Sequence, residues 1–234
     1  ANAALLGPHG RWELSQWQTA TLESDGTYAL ADLLRGRKGT EHAAGSHASG
    51  DVFVVPEATT ISQIDVSSSE LNAERLFKAL TNGQALEAVD AVTATYTGER
   101  LKPLAPALFN AATQANGDIR MTWTRRDRIA RAWASAGNLA QSESAESYEV
   151  DVVVSGVVVQ TLTSSTNSLT YENFDQTEYV TGSAVTLNLY QISATVGRGH
   201  VASASCTSAQ TAIYVPRVVV DEADFISDDT TPIY

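Results

Sequence analysis

The chain has 234 residues, 43% of them hydrophobic, and its 27 Asp and Glu outweigh 15 Lys and Arg for a formal net charge of −12. That length allows one large domain or two of ordinary size, each able to bury its own core, and two is the expectation. The acidity argues against nucleic acid as a partner, because phosphate binding draws on clustered Lys and Arg. A single cysteine, Cys206, excludes an intrachain disulfide and a cysteine-based metal site.

The first residues, "ANAALLGPHGRWE", lack the basic, apolar and cleavage-site order of a secretory signal, and no apolar run along the chain is long enough to span a bilayer. Trp12, Leu14 and Trp17 then precede an acidic turn, "ESDG" at 23–26, which the spacing reads as the joint of two strands. A further strand, "DVFVV" at 51–55, stops at Pro56, which has no N–H to give to a ladder. The stretch "SSSELNAERLFKALTNG" at 67–83 fits a helix with a Ser cap and a Gly stop, or a strand, since Leu76, Lys78 and Leu80 alternate with Phe77 and Ala79.

Two prolines in "LKPLAPALF" at 101–109 suit a linker that runs into an edge strand, and the domain boundary is placed there. Beyond it, "NGD" at 116–118 is a turn signal, and "IRMTWT" puts Ile119, Met121 and Trp123 on one face. "SYEVDVVV" does the same for Tyr148, Val150, Val152 and Val154, and Ser155 and Gly156 turn the chain into "VVVQTL". "AVTLNLY" aligns Val185, Leu187 and Leu189; a turn at Gly197 and Gly199 leads to a last strand of small residues. Some seven short strands in about 100 residues suggest a Greek-key sandwich. Residues 207–234 carry five acidic residues against Arg217 alone and are expected to be mobile, or ordered only against a partner.

Several clusters invite a chemical reading. Gly36 and Gly39 bracket Arg37 and Lys38, but the pattern lacks the Lys–Ser/Thr pair and fixed Gly spacing of a P-loop, so a structural turn is expected, with Arg35 and Arg37 pairing to acids such as Glu41. His42, His47 and Asp51 offer metal-ligand chemistry. Their spacing through a Gly and Ser loop preorganises nothing, so no metal or cofactor is expected. Glu143, Glu146 and Glu149 resemble paired glycosidase carboxylates in type, yet the last two flank Tyr148 on a strand and read as a solvated face. No GxSxG elbow is present, and no enzymatic activity is expected. "RMTWTRRDRIARAW" is the one basic and aromatic patch. Arg125, Arg126, Arg128, Arg131 and Trp133, with Arg35 and Arg37, form the candidate interaction surface, while Trp123 is assigned to the core.

The motifs "GRWELSQW", "DGTYALADLLRGRKGTEHA", "LKPLAPALFNA", "GDIRMTWTRRDRI" and "LYQISATVGRG", taken in this order across residues 7–205, resemble the C-terminal region of the central tail tip, or tail hub, proteins of siphophages. That family includes the lambda tail tip protein and the large tail protein of gene transfer agents. The resemblance implies a mainly β chain: a small N-terminal β domain of tail-hub type at 1–102, a fibronectin type III-like β-sandwich at 103–206, and an acidic C-terminal tail at 207–234. It also implies a structural virion protein that assembles with other phage tail proteins, as a homotrimer around the tail axis, and contributes to host attachment, with a host cell-surface glycan or receptor as a further partner. The abrupt start suggests a piece of a longer chain. The other class of function weighed is a carbohydrate-binding module of a bacterial surface or secreted protein, with the Trp133 loop as its platform.

Overall fold

The computed structural model describes residues 2–8, 10–57, 64–128, 142–176 and 182–209. The acidic tail beyond residue 209 and most of the Arg and Trp loop, including Arg131 and Trp133, lie outside them. Among the described residues the regular elements are strands and short 3-10 turns. In the first half, β1 (Ala3–Gly7) pairs antiparallel with β2 (Glu13–Gln16), while β3 (Thr19–Leu22) and β4 (Tyr28–Ala31) make a hairpin around the "ESDG" turn. Asp25 Oδ1 caps that turn, accepting from the N–H and hydroxyl of Thr27 at 2.9 and 2.6 Å. β5 (Val52–Val54) joins the other edge of β1, and the sheet order is β2-β1-β5.

The ambiguous stretch at 67–83 resolves into both of its signals in miniature. Ser67 and Glu70 form a reciprocal capping box over one 3-10 turn, and the alternating residues that follow become β6 (Glu74–Phe77), paired with β7 (Val92–Thr95). One turn is too short to bury a helical face, so the period-2 pattern prevails.

The second half is a sandwich. β8 (Ala107–Thr113) is an edge strand, as the proline linker requires, and its sheet runs β12-β9-β8, with β9 at Ile119–Thr124. The facing sheet contains β10 (Tyr148–Val154) and β11 (Val157–Ser164); β12 (Ser168–Tyr171) crosses back to β9. β13 (Ala184–Ser193) lies between β10 and β15 (Ala202–Thr207), with the two-residue β14 (Gly197–Arg198) at its end. Three strands against five in this order make a fibronectin type III-like β-sandwich. Its edge is closed where the Thr113 hydroxyl donates to the Thr207 carbonyl at 2.6 Å.

The core follows the alternation in the sequence. Ile119, Met121 and Trp123 from β9 meet Tyr148, Val150 and Val152 from β10 and Val185, Leu187 and Leu189 from β13, with Tyr171 closing one end. Trp123 sits edge-on to Tyr148, with ring centroids 5.0 Å apart. Val154 packs at the margin as a partly buried residue.

The expectation of a second hydrophobic core is corrected. Among the described residues before 103, the buried apolar residues are Ala4 and Ala43 alone, whereas thirteen of the eighteen large hydrophobic residues left exposed lie there. A three-stranded sheet and two separate hairpins present too little facing surface to enclose one.

Leu187→Ala should therefore lower the stability of the chain by about 2–5 kcal/mol. Leu76→Ala, at a position 68% exposed, should change it by less than about 0.5 kcal/mol. Urea denaturation followed by circular dichroism distinguishes the two.

Candidate functional site

The basic, Gly-rich loop at 35–51 does hold an anion, and the anion belongs to the chain itself. Glu13, the first residue of β2, has no exposed side-chain surface. Arg35 grips it with two bonds, Nε to Oε1 at 2.6 Å and Nη2 to Oε2 at 2.5 Å. The Gly36 N–H donates to Oε1 at 2.7 Å, and the Ser15 hydroxyl donates to the same oxygen at 2.9 Å. His47 Nε2 lies 2.6 Å from Oε2, while its Nδ1 meets Asp51 at 3.1 Å. Each ring nitrogen of His47 thus faces a carboxylate oxygen.

Glycine is required at position 36. Its φ is +60°, and a Cβ there would come within 2.7 Å of the Glu41 Cα. Thr40 locks the loop onto β2 by accepting from the Leu14 N–H at 2.9 Å. Burial tends to raise the pKa of Glu13, but the bonds from Arg35, Gly36, His47 and Ser15 outweigh it and hold the carboxyl at about 2.

The same loop carries the joint to the sandwich. His42, on the turn Glu41–Ala43, stacks on His200 from the β14–β15 connection, with centroids 3.9 Å apart and ring planes 9° apart. Glu99, on the turn that enters the linker, lies beneath both, and its other oxygen takes Lys102 at 2.7 Å. Burial pulls Glu99 upward, and the Lys102 bond and the nearby positive charges carry it below the ordinary carboxylate range. The pKa of His200 is lowered, first by burial and then by its His42 neighbour. Glu41 pairs with Arg126 across the joint, and the His200 N–H donates to the Pro103 carbonyl at 2.9 Å.

The expected pairing of Arg35 with Glu41 is thus replaced by Arg35–Glu13 and Arg126–Glu41, and Arg37 donates to Gln16 at 3.0 Å. Arg125 pairs with Glu146 and Arg128 with Glu143, both at 3.1 Å. Of the candidate interaction residues, those described make contacts within the chain; Arg131 and Trp133 lie outside the described residues. The three glutamates do not converge either. Glu149, on β10, bonds Arg198 at 2.6 Å, apart from the Glu146–Arg125 pair, whose glutamate precedes the strand.

The His42, His47 and Asp51 set divides. His47 and Asp51 stay with Glu13, while His42 faces Glu99 and His200, 57 and 158 positions away along the chain. Sequence reasoning missed Glu13, Glu99 and His200. Only the acid Glu13, between residues read as a strand, carried a local signal, since a charged residue at an inward position needs a partner. A separate apolar cleft on the β3–β4 hairpin is lined by Trp17, Ala20, Tyr28, Leu30 and Phe53.

A family model described as "Rcc01698-like, C-terminal" matches residues 1–54. No curated protein matches the chain. Among solved structures, domains d3-d4 of the rat CD45 extracellular region align at 10% identity over 81% of this chain and 94% of that one, with a TM-score of 0.34. The FN1-FN3 domains of chicken CNTN1 align at 11% identity over 90% of this chain and 65% of that one, with a TM-score of 0.33.

The depressed pKa of Glu13 sets the pH dependence. Its folded value of about 2 lies below the ordinary 4.5, so its contribution is complete above pH 4.5 and is lost as pH falls from there through 2. Glu13→Gln should cost about 3 kcal/mol near neutral pH, by leaving Arg35 and His47 without their carboxylate, and should flatten that acid limb. Hydrogen-exchange protection of residues 13–16 and 34–36 between pH 6 and 2 reads both effects.

Proposed function

We propose that the chain is a non-enzymatic structural component of a tailed-phage tip or hub, acting in the virion through assembly with copies of itself and with other tail proteins. The observation that carries this reading is the distribution of apolar surface. The first half leaves Leu22, Tyr28, Phe53, Leu76 and Val92 exposed on short sheets and hairpins with open edges. A chain whose small sheets lack an apolar core is suited to completion by neighbours, which cover edges and apolar faces together.

The match of residues 1–54 to the Rcc01698-like C-terminal model, a gene transfer agent-related family, supports the same reading. That segment carries two of the motifs on which the tail-hub resemblance rests. In this reading the sandwich is the outer module, its own core making it independent of neighbours, and the first half is the part that packs. Three copies around the tail axis would bring the hairpin edges of one protomer against the next, as closed rotational symmetry requires. Host attachment follows from position at the tip, with the segment that carries Arg125, Arg126, Arg128, Arg131 and Trp133 as the candidate contact.

Immunogold electron microscopy of purified tailed particles from the source culture, with antibody raised against residues 1–234, should place label at the distal end of the tail. Label absent from intact and from disrupted particles would overturn the assignment. Specific retention on a glycan array would then favour the carbohydrate-binding alternative.

A further inference from the structure

The joint brings together three ligand atoms that do not satisfy one another. Oε1 of Glu99 lies 3.6 Å from Nε2 of His42 and 3.5 Å from Nε2 of His200, and the three atoms fall within 4.8 Å of each other. Hydrogen bonds would close at ~2.7–3.2 Å. Separations of this size instead approach the ~3.3 Å edge of a tetrahedron whose ligands sit ~2.0–2.1 Å from a zinc ion.

Supporting contacts orient the donors. His42 Nδ1 lies 3.2 Å from the Gly39 carbonyl, which only accepts, so in the neutral ring the proton sits on Nδ1 and Nε2 is the nitrogen that offers a lone pair. A backbone carbonyl behind the far nitrogen is the usual outer support of a ligating histidine. Lys102 occupies Oε2 of Glu99 and leaves Oε1 to act as a single-oxygen ligand.

We propose that His42, Glu99 and His200 bind one divalent transition ion of the zinc class, which clamps the first half of the chain to the sandwich. Two imidazoles and one carboxylate suit a borderline ion; calcium and magnesium call for oxygen ligands throughout. Each lone pair lies in the plane of its ring, so seating the ion splays the parallel His42–His200 stack. Lys102 offsets Glu99 and Arg126 offsets Glu41. Affinity therefore rests on the three ligand bonds, not on a negative field around them. This proposal concerns the isolated chain and does not depend on the virion assignment.

The test is calorimetric titration of the purified 234-residue chain with zinc chloride, paralleled by cobalt chloride and visible absorption. One ion per chain is expected, with cobalt bands typical of low coordination number and no displacement by magnesium. His42→Ala, Glu99→Gln and His200→Asn should each weaken binding at least tenfold, and His9→Ala should leave it unchanged. Circular dichroism of each variant separates loss of a ligand from loss of fold, and Glu99→Gln keeps the side-chain shape should a histidine variant unfold. No uptake at micromolar free metal would overturn the proposal. So would one-to-one uptake that survives in folded Glu99→Gln together with either histidine variant.

Discussion

One buried carboxylate organises the half of the chain that has no oil to hold it together. Glu13 lies at the start of a short strand with no exposed side-chain surface, and the loop that follows the β3–β4 hairpin closes over it. Arg35, the Gly36 N–H and His47 satisfy both of its oxygens. Arg35 gives Glu13 a directly bonded opposite charge, and burying the pair costs less than burying the carboxylate alone. A network of this kind does more to select one loop conformation than to supply net stability. Arg35, Gly36 and His47 must be placed together or not at all.

That division of labour shapes what each half can do. The sandwich has a continuous apolar core, two sheets closed along an edge by Thr113, and cross-strand pairs that need nothing from outside. The first half holds its shape through polar contacts and leaves its apolar residues outward. Between them runs the linker, pinned by the His200 N–H on the Pro103 carbonyl and by Arg126 on Glu41. The assembly proposed for this chain would draw on that uncovered apolar surface.

The sandwich was legible because its strands alternate. Ile119, Met121 and Trp123, the Tyr148–Val152 series and Val185, Leu187 and Leu189 all occupy the inward positions that a period of two assigns them. The same pattern misleads in the first half, where Leu76 and Val92 sit in good strands yet stay largely exposed. Periodicity reports which face seeks cover, not whether the chain provides it. The joint was illegible for a different reason. His42, Glu99 and His200 meet only after the hairpins, the linker and the last two strands are in place, and no local spacing encodes that meeting. The carboxylate hub stands between these cases. An acid between strand residues is visible as an anomaly, but its partners 22 to 34 positions away are not.

The contrast in what holds each half gives the solvent two opposite grips on the molecule. Sulfate and other excluded salts strengthen apolar burial and so tighten the sandwich. Dissolved ions also screen charges at the surface, where the Glu99–Lys102 and Glu41–Arg126 contacts of the joint are about one-third exposed. Glu13, sealed beneath its loop, is shielded from that screening. Rising ionic strength thus loosens the seam while both flanking bodies persist, making salt a selective control on how one half is carried relative to the other.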